Sequence, residues 1–282
     1  MGRTTRFEIS QQVHKSTYSM HSAHSHSYYE MYYLMDGKCN LFIQDTVYSI
    51  SSGTIAFIPA DILHKTTYTG SKPNERLYIE FTQDYIEGLT ECFGETWLKD
   101  NLFGKIIYIP KDQRPVINSL LYKIQTEHQS TERFAELLTK TYFHELIVEL
   151  LRHCDNTSFF TRDNNIKIAD EAIQRAMNFI ARNYQHKVTL GDIAQLLHLN
   201  ASYLSKKFKT VNGMGFSEYL NNVRINQSEK LLLETSMSIT EIAFSCGYEN
   251  SNYFGDAFRH INGISPSTFR KLKGNVGSLQ AM

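Results

Sequence analysis

Short apolar runs broken by turn signals fill residues 6–82. Residues 28–34, 38–43 and 54–58 are rich in Tyr, Ile, Phe and other strand formers. Between them stand Met35-Asp36-Gly37, Ser51-Ser52-Gly53, Pro59-Ala60-Asp61 and Tyr68-Thr69-Gly70, the residues that reverse a chain. Many short strands with close turns predict a small barrel or sandwich. From Pro115 the period lengthens. Val116, Leu120, Leu121 and Ile124 recur at helical spacing, as do Phe134, Leu137, Leu138, Tyr142, Leu146 and Leu150. Two antiparallel helices follow, which either cover the strands or offer an apolar face to a second subunit. Residues 155–165 are polar, turn-rich and aperiodic, and read as a linker. Everything after them reads as helix and turn.

That last region repeats itself. Thr189-Leu190-Gly191-Asp192-Ile193-Ala194 returns 49 residues later as Ser238-Ile239-Thr240-Glu241-Ile242-Ala243. Each copy opens on a hydroxyl with an acid three residues on, a capping box in which each side chain satisfies a backbone N–H of the first turn. Apolar residues then follow at i, i+3, i+4 and i+7: Leu190, Ile193, Ala194 and Leu197, then Ile239, Ile242, Ala243 and Cys246. After a turn, residues 203–209 (YLSKKFK) correspond to residues 253–259 (YFGDAFR), now offset by 50, so the second turn is one residue longer. Leu204 and Phe208, like Phe254 and Phe258, form an i, i+4 buried stripe. A short helix, a turn and a second helix with a polar face is the helix-turn-helix arrangement. A long helical pattern through Phe216, Tyr219, Leu220, Val223, Leu231 and Leu232 joins the copies. About 18 residues of helix span ~27 Å, close to the ~34 Å between successive major-groove faces of B-DNA.

The last hundred residues resemble the AraC/XylS class of bacterial transcription regulators. The likeness is carried by Ile193-Ala194, residues 202–209 (SYLSKKFK), Gly213, Phe216, Tyr219 and Arg224. In the second copy it is carried by Ile242-Ala243, Gly247-Tyr248, Tyr253-Phe254, Phe258-Arg259 and residues 263–270 (GISPSTFR). The resemblance implies two helix-turn-helix units in adjacent major grooves, with RNA polymerase and a second copy of the chain as partners. By periodicity, Ala201, Ser202, Ser205, Lys206 and Lys209 avoid the buried stripe. By similarity to the family, Ser202, Ser205 and Lys206 face bases; Ser bonds several bases and Lys suits guanine O6/N7. Lys207, Lys209, Arg224 and Arg259 are phosphate contacts or structural pairs. In the second unit the DNA-facing set is Ser251, Asn252, Asp256 and Arg259. Asp256 departs from the family pattern, standing where Lys206 stands in the first unit. An acid there either reads cytosine N4 or leaves this unit loosely docked.

Charge changes the picture modestly. The 282 residues balance to zero, but residues 1–165 hold 16 Lys and Arg against 20 Asp and Glu, net −4, and residues 166–282 hold 13 against 9, net +4. A basic half suits a polyanion. Eight of the eleven histidines fall in the first part. There His24-x-His26-x3-Glu30-x6-Gly37 and Gly53-x5-Pro59-x4-His64 resemble the two motifs of the cupin barrel, though Asp61 replaces the usual Gly and Tyr68 a common Asn. The resemblance implies inward-pointing side chains. They read first as polar lining of an organic-ligand pocket, with His24, His26, Glu30, Tyr32, His64 and Tyr78 as ligand-binding residues and Tyr28 and Glu80 nearby. Tyrosine faces with a few polar groups suit a sugar or similar polyol. The alternative is a divalent metal on His24, His26, Glu30 and His64. Cys39, Cys92, Cys154 and Cys246 form no CxxC pair, no apolar run approaches membrane length, and the N-terminus lacks a signal core, so a cytoplasmic protein is expected.

The expected architecture is α+β. Residues 1–154 form a cupin-like β-barrel with a two-helix dimerisation hairpin, residues 155–165 a linker, and residues 166–282 an all-α domain with two helix-turn-helix motifs. The expected function is sequence-specific DNA binding controlled by a small molecule, a carbohydrate first among them, in a homodimer without catalytic residues. Two rivals stand beside it: a metal-dependent cupin enzyme, and a ligand-independent regulator whose barrel serves only assembly.

Overall fold

Strand β2 (Tyr29–Asp36) is apolar along most of its length because both its faces are covered. Met31 and Tyr33 point one way, into a core closed by helices; Tyr32 and Leu34 point the other, into a core closed by a second sheet. The computed structural model describes residues 6–15, 18–20, 23–155 and 166–277. It divides into one unit ending at Ala169 and another beginning at Asp170.

In the first unit, β1 (Phe7–His14), β5 (Thr54–Ile58), β7 (Asn74–Phe81) and β8 (Ile106–Tyr108) join β2 in a five-stranded sheet of order β1-β7-β2-β5-β8. Strands β3 (Lys38–Ile43), β4 (Thr46–Ser51), β6 (His64–Tyr68) and β9 (Ile166–Ile168) make a four-stranded sheet of order β6-β3-β4-β9. Every pairing is antiparallel. The cupin-like barrel is thus built as two facing sheets. Their shared core holds Tyr32, Leu34, Ala56 and Ile58 from one sheet and Cys39, Leu41, Ile43, Ile50 and Tyr68 from the other. Two short helices, α1 (Glu87–Phe93) and α2 (Glu95–Asn101), lead into β8.

Helices α3 (Arg114–His128) and α4 (Ala135–Asp155) pack on each other and on the outer face of the larger sheet. Ile117, Leu120, Leu121, Ile124, Phe143, Leu146, Ile147 and Leu150 are buried there. Val116, Phe134 and Leu137, which share the helical spacing, stand 52%, 60% and 65% exposed, and Tyr122 71%. The hairpin therefore covers the sheet and keeps a second apolar surface.

The linker expected at 155–165 lies outside the described residues, except for Asp155, which ends α4. The boundary after it needs correction. Residues 166–168 were expected to open an all-α domain but form β9, with Ile50 opposite Ile166 and Tyr48 opposite Ile168. β-Branched residues at alternate positions fit an edge strand as readily as a helix start. The helical unit begins at Asp170.

That unit comprises α5 (Glu171–Asn183), α6 (Leu190–Leu196), α7 (Ala201–Asn212), α8 (Phe216–Glu234), α9 (Ile239–Ser245), α10 (Ser251–Asn262) and α11 (Pro266–Gly277). Helix α8 buries Tyr219, Leu220, Asn222, Ile225, Ser228 and Leu232 on several sides, because neighbours flank it in both repeats. No described helix is long and apolar enough to cross a membrane.

Candidate functional sites

The two repeats fold by the same local rules. Thr189 accepts from the Asp192 N–H at 3.2 Å, and Asp192 accepts from the Thr189 N–H at 2.9 Å. Ser238 and Glu241 repeat this at 3.2 and 2.7 Å. Asn200 and Asn250 cap α7 and α10, accepting from the N–H groups of Ser202 at 2.9 Å and Asn252 at 2.7 Å. Ala194 and Ala243 are buried, so α7 and α10 pack closely over α6 and α9, with Leu204, Phe208, Phe254 and Phe258 wholly buried beneath them.

The opposite faces point to solvent. On α7, Ala201, Ser202, Ser205, Lys206 and Lys209 are exposed together. On α10, Asn252, Asp256 and Arg259 are exposed and Ser251 is half-buried. A Cβ added at Gly255, between them, would meet no atom within 4 Å. Tyr203 and Tyr253 stand 53% and 57% exposed at the start of each helix. In the sequence these tyrosines align the repeats and help carry the family resemblance; their matched i−1 positions beside Leu204 and Phe254 were the signal that they border the polar faces.

Two basic residues separate from this set. Lys207 pairs with Asp170 at 2.8 Å, and Asp170 also caps α5 by accepting from the Ile173 N–H at 3.1 Å. Arg224 Nε donates to the Tyr184 carbonyl at 2.9 Å and Nη2 to the His186 carbonyl at 3.0 Å, while its guanidinium lies 5.4 Å from the Tyr248 ring centroid. Burial lowers the Arg224 pKa against the nearby phenols and acids that raise it. Of the two readings open for Arg224, the geometry favours the structural pair over the phosphate contact.

The two turns differ in kind. His198 adopts φ +54° in the first and Gly247 φ +82° in the second. A Cβ at Gly247 would fall 2.5 Å from the Tyr184 carbonyl oxygen and 2.8 Å from that of Gln185. Glycine is needed there both for its backbone angle and for the close approach of the α5–α6 loop.

In the first unit, alternation along β2 and β7 puts Glu30, Tyr32, Arg76, Tyr78 and Glu80 on one face, with Tyr32 directly opposite Tyr78 and Glu30 opposite Glu80. Tyr32 is buried beneath this face, its hydroxyl 3.6 Å from Cys39 Sγ. Arg76 lies over the rings of Tyr32 and Tyr78 at 6.0 and 5.4 Å, and donates to Gln12 Oε1 from Nε at 3.2 Å and Nη2 at 2.9 Å. Arg76 and Gln12 were not among the expected ligand residues. In the sequence Arg76 sits in a polar turn-like stretch, and only its i, i+2 relation to Tyr78 marks it as inward.

The expected histidine cluster comes together. His26 Nε2 lies 3.1 Å from Glu30 Oε2 and His64 Nε2 3.4 Å from the same oxygen. Nitrogens of His24, His26 and His64 all lie within 4.8 Å of one another. The His26 ring stacks on Tyr28 at 3.9 Å. Burial pulls the His24 pKa down to about 4, helped by the neighbouring His64. Burial would raise the Glu30 carboxyl, but the facing imidazoles outweigh it and hold it below the ordinary range. His26 is raised, because Glu30 offsets its own desolvation.

Over residues 10–147 the chain matches the family described as AraC-like ligand binding domain, and over residues 193–272 the family described as helix-turn-helix domain. It is 25% identical over 245 residues to the Msm operon regulatory protein of Streptococcus mutans, covering 86% of this chain and 84% of that one. It is 26% identical over 257 residues to the HTH-type transcriptional activator RhaR of Salmonella arizonae, covering 88% and 86%. Among solved structures, the C-terminal domain of AraT, a response regulator from Geobacillus stearothermophilus, shares 31% identity over 37% of this chain and 88% of that one, with a TM-score of 0.36.

Proposed function

The chain belongs to the AraC/XylS family of transcription regulators, and from that premise we propose that it reads a bipartite duplex site with α7 and α10 under the control of a carbohydrate-like effector. The observation that carries this reading is the matched pair of polar helix faces, each set on the same capped two-helix scaffold and joined by the 19 residues of α8. A helix of that length spans ~28 Å, which suits recognition helices entering successive major grooves. Ser202, Ser205 and Lys206 read bases in one groove, and Asn252 and Asp256 in the next. Lys209 and Arg259 contact phosphate, which fixes register without reading sequence.

The effector reading rests on Tyr78, Arg76, Gln12 and Glu80. An aromatic face beside a guanidinium, an amide and a carboxylate provides stacking area with donors and acceptors, the combination a polyol needs. The exposed Val116, Tyr122, Phe134 and Leu137 support homodimerisation through α3 and α4. An effector acts by favouring one state of the protein over another. RNA polymerase is the partner that a DNA-bound activator addresses, which places the work in the cytoplasm. Nothing in this scheme requires turnover.

The test is selection of bound sequences from a random duplex pool by the full-length protein, with and without a panel of sugars. The expected result is two enriched half-sites about one helical turn apart, with affinity falling steeply as salt rises. Recovery of no enriched sequence at low salt would overturn the DNA reading. Enrichment unchanged by every sugar, with no thermal shift, would remove the carbohydrate and leave the regulator.

A further inference from the structure

One neutral oxygen in the first unit collects the donors of an anion site. Gln12 on β1 stands directly opposite Arg76 on β7. Its Oε1 accepts from Arg76 Nε at 3.2 Å and from Nη2 at 2.9 Å. His14 Nε2 lies 3.1 Å from the same oxygen, and because an amide oxygen only accepts, that nitrogen carries the proton. The guanidinium thus offers the two-donor edge that matches a carboxylate to a neutral amide. Arg76 is 7% exposed, and among the described residues no carboxylate pairs with it. Glu75 accepts from Gln11 at 2.6 Å, Glu80 is taken by Arg6, and Glu30 faces His26 and His64. A buried cation without an acid is costly, and the tyrosine rings at 6.0 and 5.4 Å offset only part of that cost.

We propose that the effector site takes an anionic polyol, a sugar acid or a sugar phosphate, whose charged oxygens displace Gln12 Oε1 and pair with Arg76. This rests on the carbohydrate reading and narrows it by charge. Hydrogen bonds from a guanidinium to a carboxylate or phosphate are roughly twice as strong as those to a neutral acceptor, so the exchange favours the ligand over the amide. The released Gln12 amide can then bond a ligand hydroxyl. His14 supplies the third donor. Burial, and after it the Arg76 charge, lowers the His14 pKa, so near neutral pH the ring is an uncharged donor and Arg76 carries the positive charge of the cluster.

The face is polarised along β7. Arg76, Tyr78 and Glu80 alternate onto one side of the strand, so its cationic and acidic ends are four residues, or ~14 Å, apart. Tyr78 lies between them, opposite Tyr32 on β2 and Ser10 on β1. A ligand with one charged group is therefore oriented. Its acid lies at Arg76, its ring packs on Tyr78, and its hydroxyls extend toward Glu80, which accepts hydrogen bonds. A neutral sugar lacks the anchor at the Arg76 end and leaves the guanidinium on the amide.

The test uses the full-length protein at matched ionic strength. The probes are galacturonate, gluconate and glucose-6-phosphate, with galactose and glucose as their neutral partners and acetate as a control for charge alone. Melting temperature and calorimetric affinity are read for each. At least one acidic sugar should raise the melting temperature and bind at least tenfold more tightly than its neutral partner, and the carboxylates against the phosphate tell which anion the site takes. Arg76→Gln should erase that preference. Gln12→Glu, which sets a carboxylate of the chain itself against the guanidinium, should melt higher than wild type and lose its response to acidic sugars. Neutral sugars that bind as tightly as their acids would overturn the proposal and leave the carbohydrate reading standing. Silence of every sugar would remove the carbohydrate reading and the polyol with it, while a raised Gln12→Glu melting would still mark an anion site. A Gln12→Glu protein that melts no higher than wild type would overturn the anion site whatever the sugars do.

Discussion

Arg224 on α8 reaches back to the Tyr184 carbonyl at 2.9 Å, so the helix between the two repeats is fastened to the loop that introduces the first. The same loop presses on the second turn at Gly247. The two reading units are thereby set against each other through one loop.

Replacing Arg224 with Ala leaves the part-buried Tyr184 carbonyl without its donor, while that of His186 is open to water, and should destabilise the helical unit by about 1–3 kcal/mol. Urea unfolding of the full chain measures this. The salt dependence of DNA binding should keep its slope; a slope reduced by about one would instead make Arg224 a phosphate contact.

Lys206→Ala should cost more affinity than Asp256→Ala. Lys206 offers a donor and a positive charge to the groove, about 1–3 kcal/mol if it pairs with guanine. Asp256 repels phosphate and is rewarded only where it accepts from cytosine. Operator titrations of both variants decide this, and equally large losses would contradict it.

Gly255→Ala and Gly247→Ala should move stability in opposite directions. At Gly255 the added methyl meets nothing within 4 Å, so α10 gains up to about 1 kcal/mol of helix propensity. At Gly247 it meets a carbonyl oxygen at 2.5 Å with φ at +82°, so the unit should lose stability. Thermal melts compare the two. A stabilised Gly255→Ala protein that binds DNA more weakly would show that the missing side chain makes room for the duplex.

Tyr122→Asp combined with Leu137→Asp should shift a dimer toward monomer by sedimentation equilibrium, with little change in melting of the isolated chain. Both residues are largely exposed, at 71% and 65%, so charging them costs little in the monomer. A dimer unchanged by this pair would place the subunit contact elsewhere.

The helical half was legible because its information is local. Capping pairs such as Thr189 with Asp192 and the stripe of Phe254 and Phe258 lie within a few residues of each other, so periodicity exposes them. The β half was legible in outline only. Its turns and the His24, His26, Glu30 and His64 constellation could be seen, because spacing carried the resemblance. Arg76 had only its i, i+2 relation to Tyr78 to mark it, and the pairing of β7 with β2 was needed to fix which face that alternation turns inward. Strand β9 was missed for the same reason: its three residues have meaning only beside β4. The fates of Lys207 and Arg224 likewise depended on partners distant in sequence.

The unequal turns differ in what they tolerate. His198 holds a left-handed backbone in open surroundings, whereas Gly247 holds one against a neighbouring carbonyl. A chimera that carried glycine into the first bend would be accommodated, but one that carried histidine into the second would collide. The second bend is thus bound to the segment that leads into the first unit, and a side chain gained there would be felt in both halves at once.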